Sequence, residues 1–179
     1  MTPRHQAVFF DRDGTLIRDT GYPRDPKTVE ILPGVVPFLR TLQERGYLLV
    51  VISNQSGIGR GMITPAQARA VHDRFIQVFA EQGIAIHGTY YCPHGPEEDC
   101  ACRKPAPAML LQAAESLGID MARSFMVGDK PSDVEAGQNA GCRGIWFQPA
   151  GAGWKSPMRP DLITADWDEI LTYITQNVT

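Results

Sequence analysis

Two stretches of the chain, Ala7 to Phe10 and Tyr47 to Ile52, are unbroken apolar runs that stop abruptly at polar residues. A strand with one wet face alternates apolar and polar side chains; a strand without that alternation is buried on both faces. Each such strand needs cover above and below, and the intervening chain supplies it. Val36, Leu39 and Leu42 recur at helical spacing over about 33–45, with Gly46 as a stop signal. Thr64-Pro65 opens a second helix with an N-cap and a first-turn proline, and Gly83 closes it. Its apolar stripe is Val71, Phe75, Val78 and Phe79.

The alternation continues to the end of the chain. Residues 86–91 predict a third strand, 106–117 a helix ended by Gly118, and 124–128 a fourth strand. A short helix over 132–140 and a fifth strand over 144–147 follow. Beyond a Gly/Pro-rich loop at 148–160, Asp166 and Glu169 predict a capping box that opens the last helix. Strand-helix alternation of this kind predicts an α/β fold, a doubly wound, Rossmann-like parallel sheet with helices on both faces. At 179 residues the chain can bury roughly 70% of its unfolded surface, enough for one domain spanning 1–179 without disulfides.

Charge narrows the function classes. With 17 Lys+Arg against 20 Asp+Glu the net charge is −3, which argues against gripping nucleic acid by its backbone or lying on anionic lipid. An apolar run of six residues at 47–52 is far short of a membrane span. The N-terminus reaches charged residues too soon for a secretory signal, so a cytoplasmic protein is expected.

In a parallel sheet, ligands bind beyond the carboxyl ends of the strands. Asp11-Arg12-Asp13-Gly14-Thr15 stands at the first such end, a pair of carboxylates followed by a glycine where the backbone must turn. Paired acids there can hold a divalent cation and share nucleophilic and acid/base work; taken alone, the same string is also a polar turn. Ser53-Asn54 ends the second strand, Arg103-Lys104-Pro105 offers two cations before a helix, and Gly128-Asp129-Lys130-Pro131-Ser132-Asp133 brings another carboxylate. Four such fragments at successive strand ends point to one constellation for phosphate chemistry. An anionic nucleophile cannot approach a phosphate dianion unless cations neutralise the charge.

Cys92, His94, Cys100 and Cys102 fall within eleven positions. Three thiols and an imidazole make a closed Cys₃His set, the ligand count of a structural tetrahedral Zn²⁺ with no open position, the alternatives being free thiols or a disulfide. Zinc here would pin the acid-rich loop and fix Arg103 and Lys104, which follow the last ligand directly. Cys142, His5, His72, His87 and the three tryptophans read as packing or surface residues.

The order of the four fragments over residues 8–133 resembles the haloacid dehalogenase superfamily, whose motifs are Asp-x-Asp, a Thr or Ser ending the second strand, a Lys, and a Gly-Asp-x-x-x-Asp type acidic motif. The resemblance implies that Asp11 attacks phosphorus and Asp13 serves as acid and then base. It implies Mg²⁺ held by the carboxylates of Asp11 and Asp129 and the backbone carbonyl of Asp13, with Ser53 and Lys104 on the phosphoryl oxygens. Asp133 would stand behind them, orienting Lys104 or a metal-bound water. An Asp at position 13 implies a phosphatase or mutase. The gaps at 14–52 and 55–103, 39 and 49 residues, leave no room for an inserted cap domain, which favours hydrolysis.

The Cys92-Pro93-His94 and Cys100-Ala101-Cys102-Arg103-Lys104-Pro105 strings are similar to the branch of histidinol-phosphate and heptose-bisphosphate phosphatases. Ser53 to Gly61 and Gly128-Asp129-Lys130 resemble the heptose-bisphosphate side, Ser53 keeping the hydroxyl of the usual Thr. This implies a small-molecule sugar bisphosphate met by Asp19, Thr20, Gly21, Tyr22, Ser53, Asn54, Gln55, Ser56, Arg103, Lys104 and Lys130, in a monomer. Arg103 and Lys130 would face the phosphate that is not cleaved. Histidinol phosphate is the second reading. A DNA 3′-phosphatase, which shares the scheme, should carry a basic groove and aromatic platforms; the net charge counts against it.

Overall fold

The computed structural model describes residues 4–148 and 153–177. Residues 149–152 of the expected Gly/Pro-rich loop lie outside them. The elements in chain order are β1 (Ala7–Phe10), α1 (Val35–Glu44), β2 (Leu48–Asn54), the single turn α2 (Ser56–Gly59), α3 (Pro65–Glu81) and β3 (Gly88–Cys92). Then come α4 (Ala108–Leu117), β4 (Phe125–Gly128), α5 (Pro131–Asn139), β5 (Arg143–Phe147), β6 (Leu162–Thr164) and α6 (Trp167–Gln176). All five strand pairings are parallel, in the order β3-β2-β1-β4-β5-β6.

The central strands explain the apolar runs. Val8 and Phe10 of β1 join Leu49, Val51, Phe125 and Val127 in one core with α1, α3 and α6. Ala7 and Phe9 point the other way, joining Val50, Ile52 and Met126 under α4 and α5. All four residues of β1 are fully buried. The α3 stripe is buried as expected, and the Thr64–Gln67 capping box forms. On α1 the buried face is Val35, Phe38, Leu39 and Leu42, while Val36 is only partly covered.

Two expectations need correction. The sheet has a sixth strand, β6, beside β5. The capping box on α6 does not form: Asp166 accepts from the Asp168 N–H at 2.9 Å, but Glu169 is taken by the Thr164 hydroxyl at 2.6 Å. Among the described residues no helix is long and apolar enough to cross a membrane. Among the described residues, only α1 and a single 3₁₀ turn lie between β1 and β2, and only α2, α3 and β3 between β2 and α4, so no cap domain is inserted there.

The strand order reverses direction between β1 and β4, where two crossovers leave in opposite senses and open a crevice. Register pairs Phe10 with Val127, and the Asp11 N–H donates to Val127 O at 2.9 Å. The next residues, Asp11 to Asp13 and Gly128 to Asp129, therefore emerge side by side at that crevice.

Candidate active site

The centre of the crevice is a buried ion cluster. Lys104 donates to Asp11 Oδ1 at 2.6 Å and to the Ile52 carbonyl at 2.7 Å, and lies 2.7 Å from Asp133 Oδ1. Its side chain is 1% exposed. Burial alone would strip its proton, but Asp11 and Asp133 together outweigh that and hold the ammonium charged. Three partners also account for all three of its protons. In this arrangement all the hydrogen bonds of Lys104 are committed to the protein. Asp133 is fixed in turn, its Oδ2 accepting from the Lys130 N–H at 2.9 Å. The strand end admits it because position 128 is glycine; a Cβ there would run into the Asp133 carboxyl.

Asp11, Asp129 and Asp133 each bring a carboxylate oxygen within 4.8 Å of the others. Three carboxylates share one buried ammonium, with the half-exposed Lys130 only at the edge, 3.9 Å from Asp129 Oδ2, so the space carries excess negative charge. The strain shows at Asp129, whose pKa is pushed up to about 7, first by burial and then by Asp11. Its Oδ1 is buried and makes no hydrogen bond. A hard divalent cation with oxygen ligands matches this donor set in charge and chemistry. Both Asp133 oxygens are engaged, by Lys104 and by the Lys130 N–H, whereas Asp129 Oδ1 has no hydrogen bond and Asp11 meets Lys104 through Oδ1, so Asp11 and Asp129 are the better-placed carboxylates. Trp146 Nε1 donates to the Asp129 carbonyl at 2.9 Å and steadies that side. Gly14, at φ 91°, lets the chain turn under Asp129; a Cβ would sit 2.5 Å from Asp129 Oδ2.

Beside the cluster lies a cavity of about 450 Å³, within the usual range for small-molecule sites. Asp13 lines it, with Asp19, Gly21 and Tyr22 on one side and Asn54 to Gly57 on another. Arg103, Lys104 and Lys130 give it positive charge. Lys130 Nζ is 3.6 Å from Asp19 Oδ2 and 3.9 Å from Asp129 Oδ2. Of the expected substrate contacts, Thr20 is exposed and outside the cavity lining. Ser53 is buried beneath Gln55, whose Nε2 donates to Ser53 Oγ at 2.7 Å. Asn54 commits its amide to the Lys104 backbone in both directions, at 3.2 and 3.0 Å.

Sequence reasoning passed over Arg12, the residue between the two acids, which is 5% exposed and paired with Asp13. No sequence signal marks it, because its burial depends on the side chain folding back onto Asp13. Burial raises the Asp13 pKa against the lowering effect of Arg12.

The four Cys/His ligand atoms also converge within 4.8 Å. The sulfur separations Cys92–Cys100 and Cys100–Cys102 are 3.7 and 3.8 Å. These match the edge of about 3.8 Å that tetrahedral Zn–S bonds of about 2.3 Å require; the Cys92–Cys102 edge, 2.8 Å, would have to open. None of the four cysteines forms a disulfide. Burial first, then the Cys102 sulfur, pushes the Cys92 thiol up to about 12, a cost that a bound cation would reverse. Arg103 Nη1 donates to the His94 carbonyl at 3.2 Å, so the loop does hold this cation.

A HAD-hydrolase-like family model matches residues 101–166. The chain is 44% identical over 143 residues to the D-glycero-beta-D-manno-heptose-1,7-bisphosphate 7-phosphatase of Yersinia pestis, covering 76% of each chain. The enzyme of the same name from Escherichia coli (strain K12) is 44% identical over 137 residues, covering 73% of this chain and 72% of that one. The chain belongs to the haloacid dehalogenase phosphatases. Among solved structures it is similar to the D,D-heptose 1,7-bisphosphate phosphatase of B. bronchiseptica complexed with magnesium and phosphate. That match has a TM-score of 0.80 and 28% identity, covering 96% of this chain and 98% of the other. A putative HAD-like phosphatase from Mesorhizobium loti matches with a TM-score of 0.85 and 32% identity, covering 99% and 89%. For a haloacid dehalogenase phosphatase, the ion cluster and adjoining cavity stand where the sheet topology places its chemistry.

Proposed function

We propose that the chain hydrolyses the C7 phosphate of D-glycero-D-manno-heptose 1,7-bisphosphate, releasing heptose 1-phosphate and inorganic phosphate. The reading puts it in nucleotide-activated heptose synthesis for lipopolysaccharide or surface polysaccharide. The observation that carries it is the cavity itself, where an acidic cluster adjoins two further cations, Arg103 and Lys130. A monophosphate needs one cationic end; a bisphosphate needs two. The names of the 44%-identical relatives supply the sugar and the β-anomer.

Asp11 is the nucleophile in this reading. A carboxylate oxygen of Asp11 bonds to phosphorus, the bond from phosphorus to the C7 oxygen breaks, and Asp13 gives that oxygen a proton. Water then attacks the phosphorus of the aspartyl-phosphate while Asp13 takes its proton, and the phosphorus–Asp11 bond breaks to restore the carboxylate. Lys104 neutralises Asp11 and holds it in place through the reaction. Mg²⁺ fits the carboxylates of Asp11 and Asp129 with the Asp13 carbonyl, and when bound would offset the charge of the phosphoryl group. Zn²⁺ fits Cys92, His94, Cys100 and Cys102 as a structural ion. Arg103 and Lys130 meet the phosphate that stays, and Asp19, Gly21, Tyr22 and Ser56 meet the sugar, while the Gln55 amide nitrogen is committed to Asp13 and Ser53.

The test is phosphate release with Mg²⁺ from both anomers of the heptose bisphosphate, histidinol phosphate, fructose bisphosphate and a DNA 3′-phosphate. Preference for a heptose bisphosphate, abolished in Asp11→Asn, is the expected result. Activity surviving in Asp11→Asn would overturn the mechanism, and preference for histidinol phosphate or DNA would overturn the substrate.

A further inference from the structure

Asp13 has to deliver a proton to one defined oxygen, yet an aspartate side chain turns about two torsions and needs neighbours to aim it. Two are in place. Arg12 faces its own chain neighbour, Nε donating to Asp13 Oδ2 at 3.0 Å and Nη2 to Oδ1 at 3.2 Å. This two-point grip fixes the carboxyl plane, which a point charge cannot do. Gln55, from the turn after β2, donates to Oδ2 at 2.9 Å and is itself tied to Ser53. The side chains of Arg12 and Asp13 are only 6% and 14% exposed, so water does not compete freely for these bonds.

A second cavity of about 280 Å³ lies behind them, lined among others by His72, Thr89 and Tyr91. Asp13 lines the substrate cavity, Arg12 lines the second one, and Gln55 lines both. The two side chains thus form the partition between the chambers. Without either, the Asp13 carboxyl gains room to turn toward the rear and away from the leaving oxygen. Arg12 reaches no substrate-cavity lining of its own, so contact with the sugar does not explain its burial there.

We propose that Arg12 and Gln55 are positioning residues that clamp Asp13 toward the departing oxygen, Arg12 from the rear and Gln55 from the β2 side. The proposal rests on Asp13 being the acid, and leaving-group chemistry separates the two questions. p-Nitrophenolate departs as an anion at neutral pH, whereas p-methylphenolate is more basic and gains from protonation. The two esters are similar in size, so losses of simple contact affect them alike. The parameter is kcat/KM, which reports formation of the aspartyl-phosphate and excludes its hydrolysis, a step common to both esters.

Asp13→Asn should lose about 100-fold on p-methylphenyl phosphate, in the range for proton transfer, and much less on the nitrophenyl ester. Arg12→Lys, which keeps the charge without the fork, and Gln55→Leu, of similar volume, should lose about tenfold on the methylphenyl ester and under about threefold on the nitrophenyl ester. Thermal melting of each variant confirms folding, and Gln55→Leu carries the test if Arg12→Lys does not fold. Equal losses on both esters, or none, would assign the pair a structural role and overturn the clamp. If Asp13→Asn itself shows no leaving-group dependence, the acid assignment fails and takes the clamp with it.

Discussion

Removing the ammonium from the ion cluster gives the sharpest stability test. In Lys104→Met, Asp11 and Asp133 keep their burial, at 7% and 1% side-chain exposure, and lose the cation that touches both. Stranding buried charge by deleting its partner costs about 3–5 kcal/mol, roughly a fifth or more of the ~5–15 kcal/mol that holds a typical domain together. For a chain of this length that corresponds to a Tm drop of roughly 10 °C. Asp133→Asn alone should cost about 1–3 kcal/mol, because Asp11 still pairs Lys104. The double variant strands one carboxylate instead of two, so it should be more stable than Lys104→Met by about 1–2 kcal/mol. Urea unfolding in Mg²⁺-free buffer, read by the fluorescence of buried Trp146 and Trp167, measures all four proteins. The urea slope must stay constant for the cycle to be valid. Lys104→Met within about 1 kcal/mol of the parent, or a double variant no better than the single, would refute the cluster energetics.

Asp129→Asn should raise the Tm of Mg²⁺-free protein at pH 8 and leave it unchanged at pH 4. The folded pKa of about 7 lies above the usual 3.8, so the fold disfavours the ionised form, and that penalty is absent at low pH and grows as pH rises toward 7. A pH-independent difference would contradict this, and Mg²⁺ should stabilise the parent while leaving the variant unmoved. Arg103→Ala should lower kcat/KM about 10–100-fold for the bisphosphate and less for a monophosphate, as expected for one charge-assisted contact to the second phosphate; equal losses would exclude that contact. Chelating zinc should lower both the Tm and the affinity for phosphate, and unchanged melting with unchanged kinetics after verified removal would end its structural role.

The strands that position the site were legible because they are buried on both faces, so composition alone marks β1, β2 and β4. Edge strand β6 left no such mark. It has three residues, with only Ile163 exposed, and is located by contacts distant in sequence: Asp161 accepts from the Gly144 N–H at 2.7 Å, and α6 packs beside it. The single turn α2 is too short to show helical periodicity. At the site, Asp11 and Asp129 could be found because the sheet order brings strand ends together whatever the side chains do, whereas Lys104 and Asp133 lie beyond strand ends and were legible only from the order of the four motifs. How they share protons could not. That Lys104 commits three, that Asn54 serves the Lys104 backbone, and that Arg12 turns back on Asp13 all depend on rotamers that no sequence pattern encodes.

The same distinction bears on why the chain carries a Cys/His loop. Lys104 and Arg103 lie on a connection with no regular secondary structure between Cys92 and Ala108. Fixing a residue there costs about 1–2 kcal/mol of backbone entropy, and no strand ladder compensates it. What the structure offers instead are a few polar ties: Asn54 to the Lys104 backbone, Arg103 to the His94 carbonyl, and Gly95 N–H to Glu98. Four ligands on one ion would cross-link both ends of the loop and remove much of that freedom in a single step. Lys104 is held from outside the loop by Asn54, Asp11, Ile52 and Asp133, whereas Arg103 is tied to the loop's own His94 carbonyl. If the Cys/His set holds zinc as proposed, the ion would serve the proposed substrate site indirectly, by limiting the freedom of the segment that carries Arg103 and Lys104.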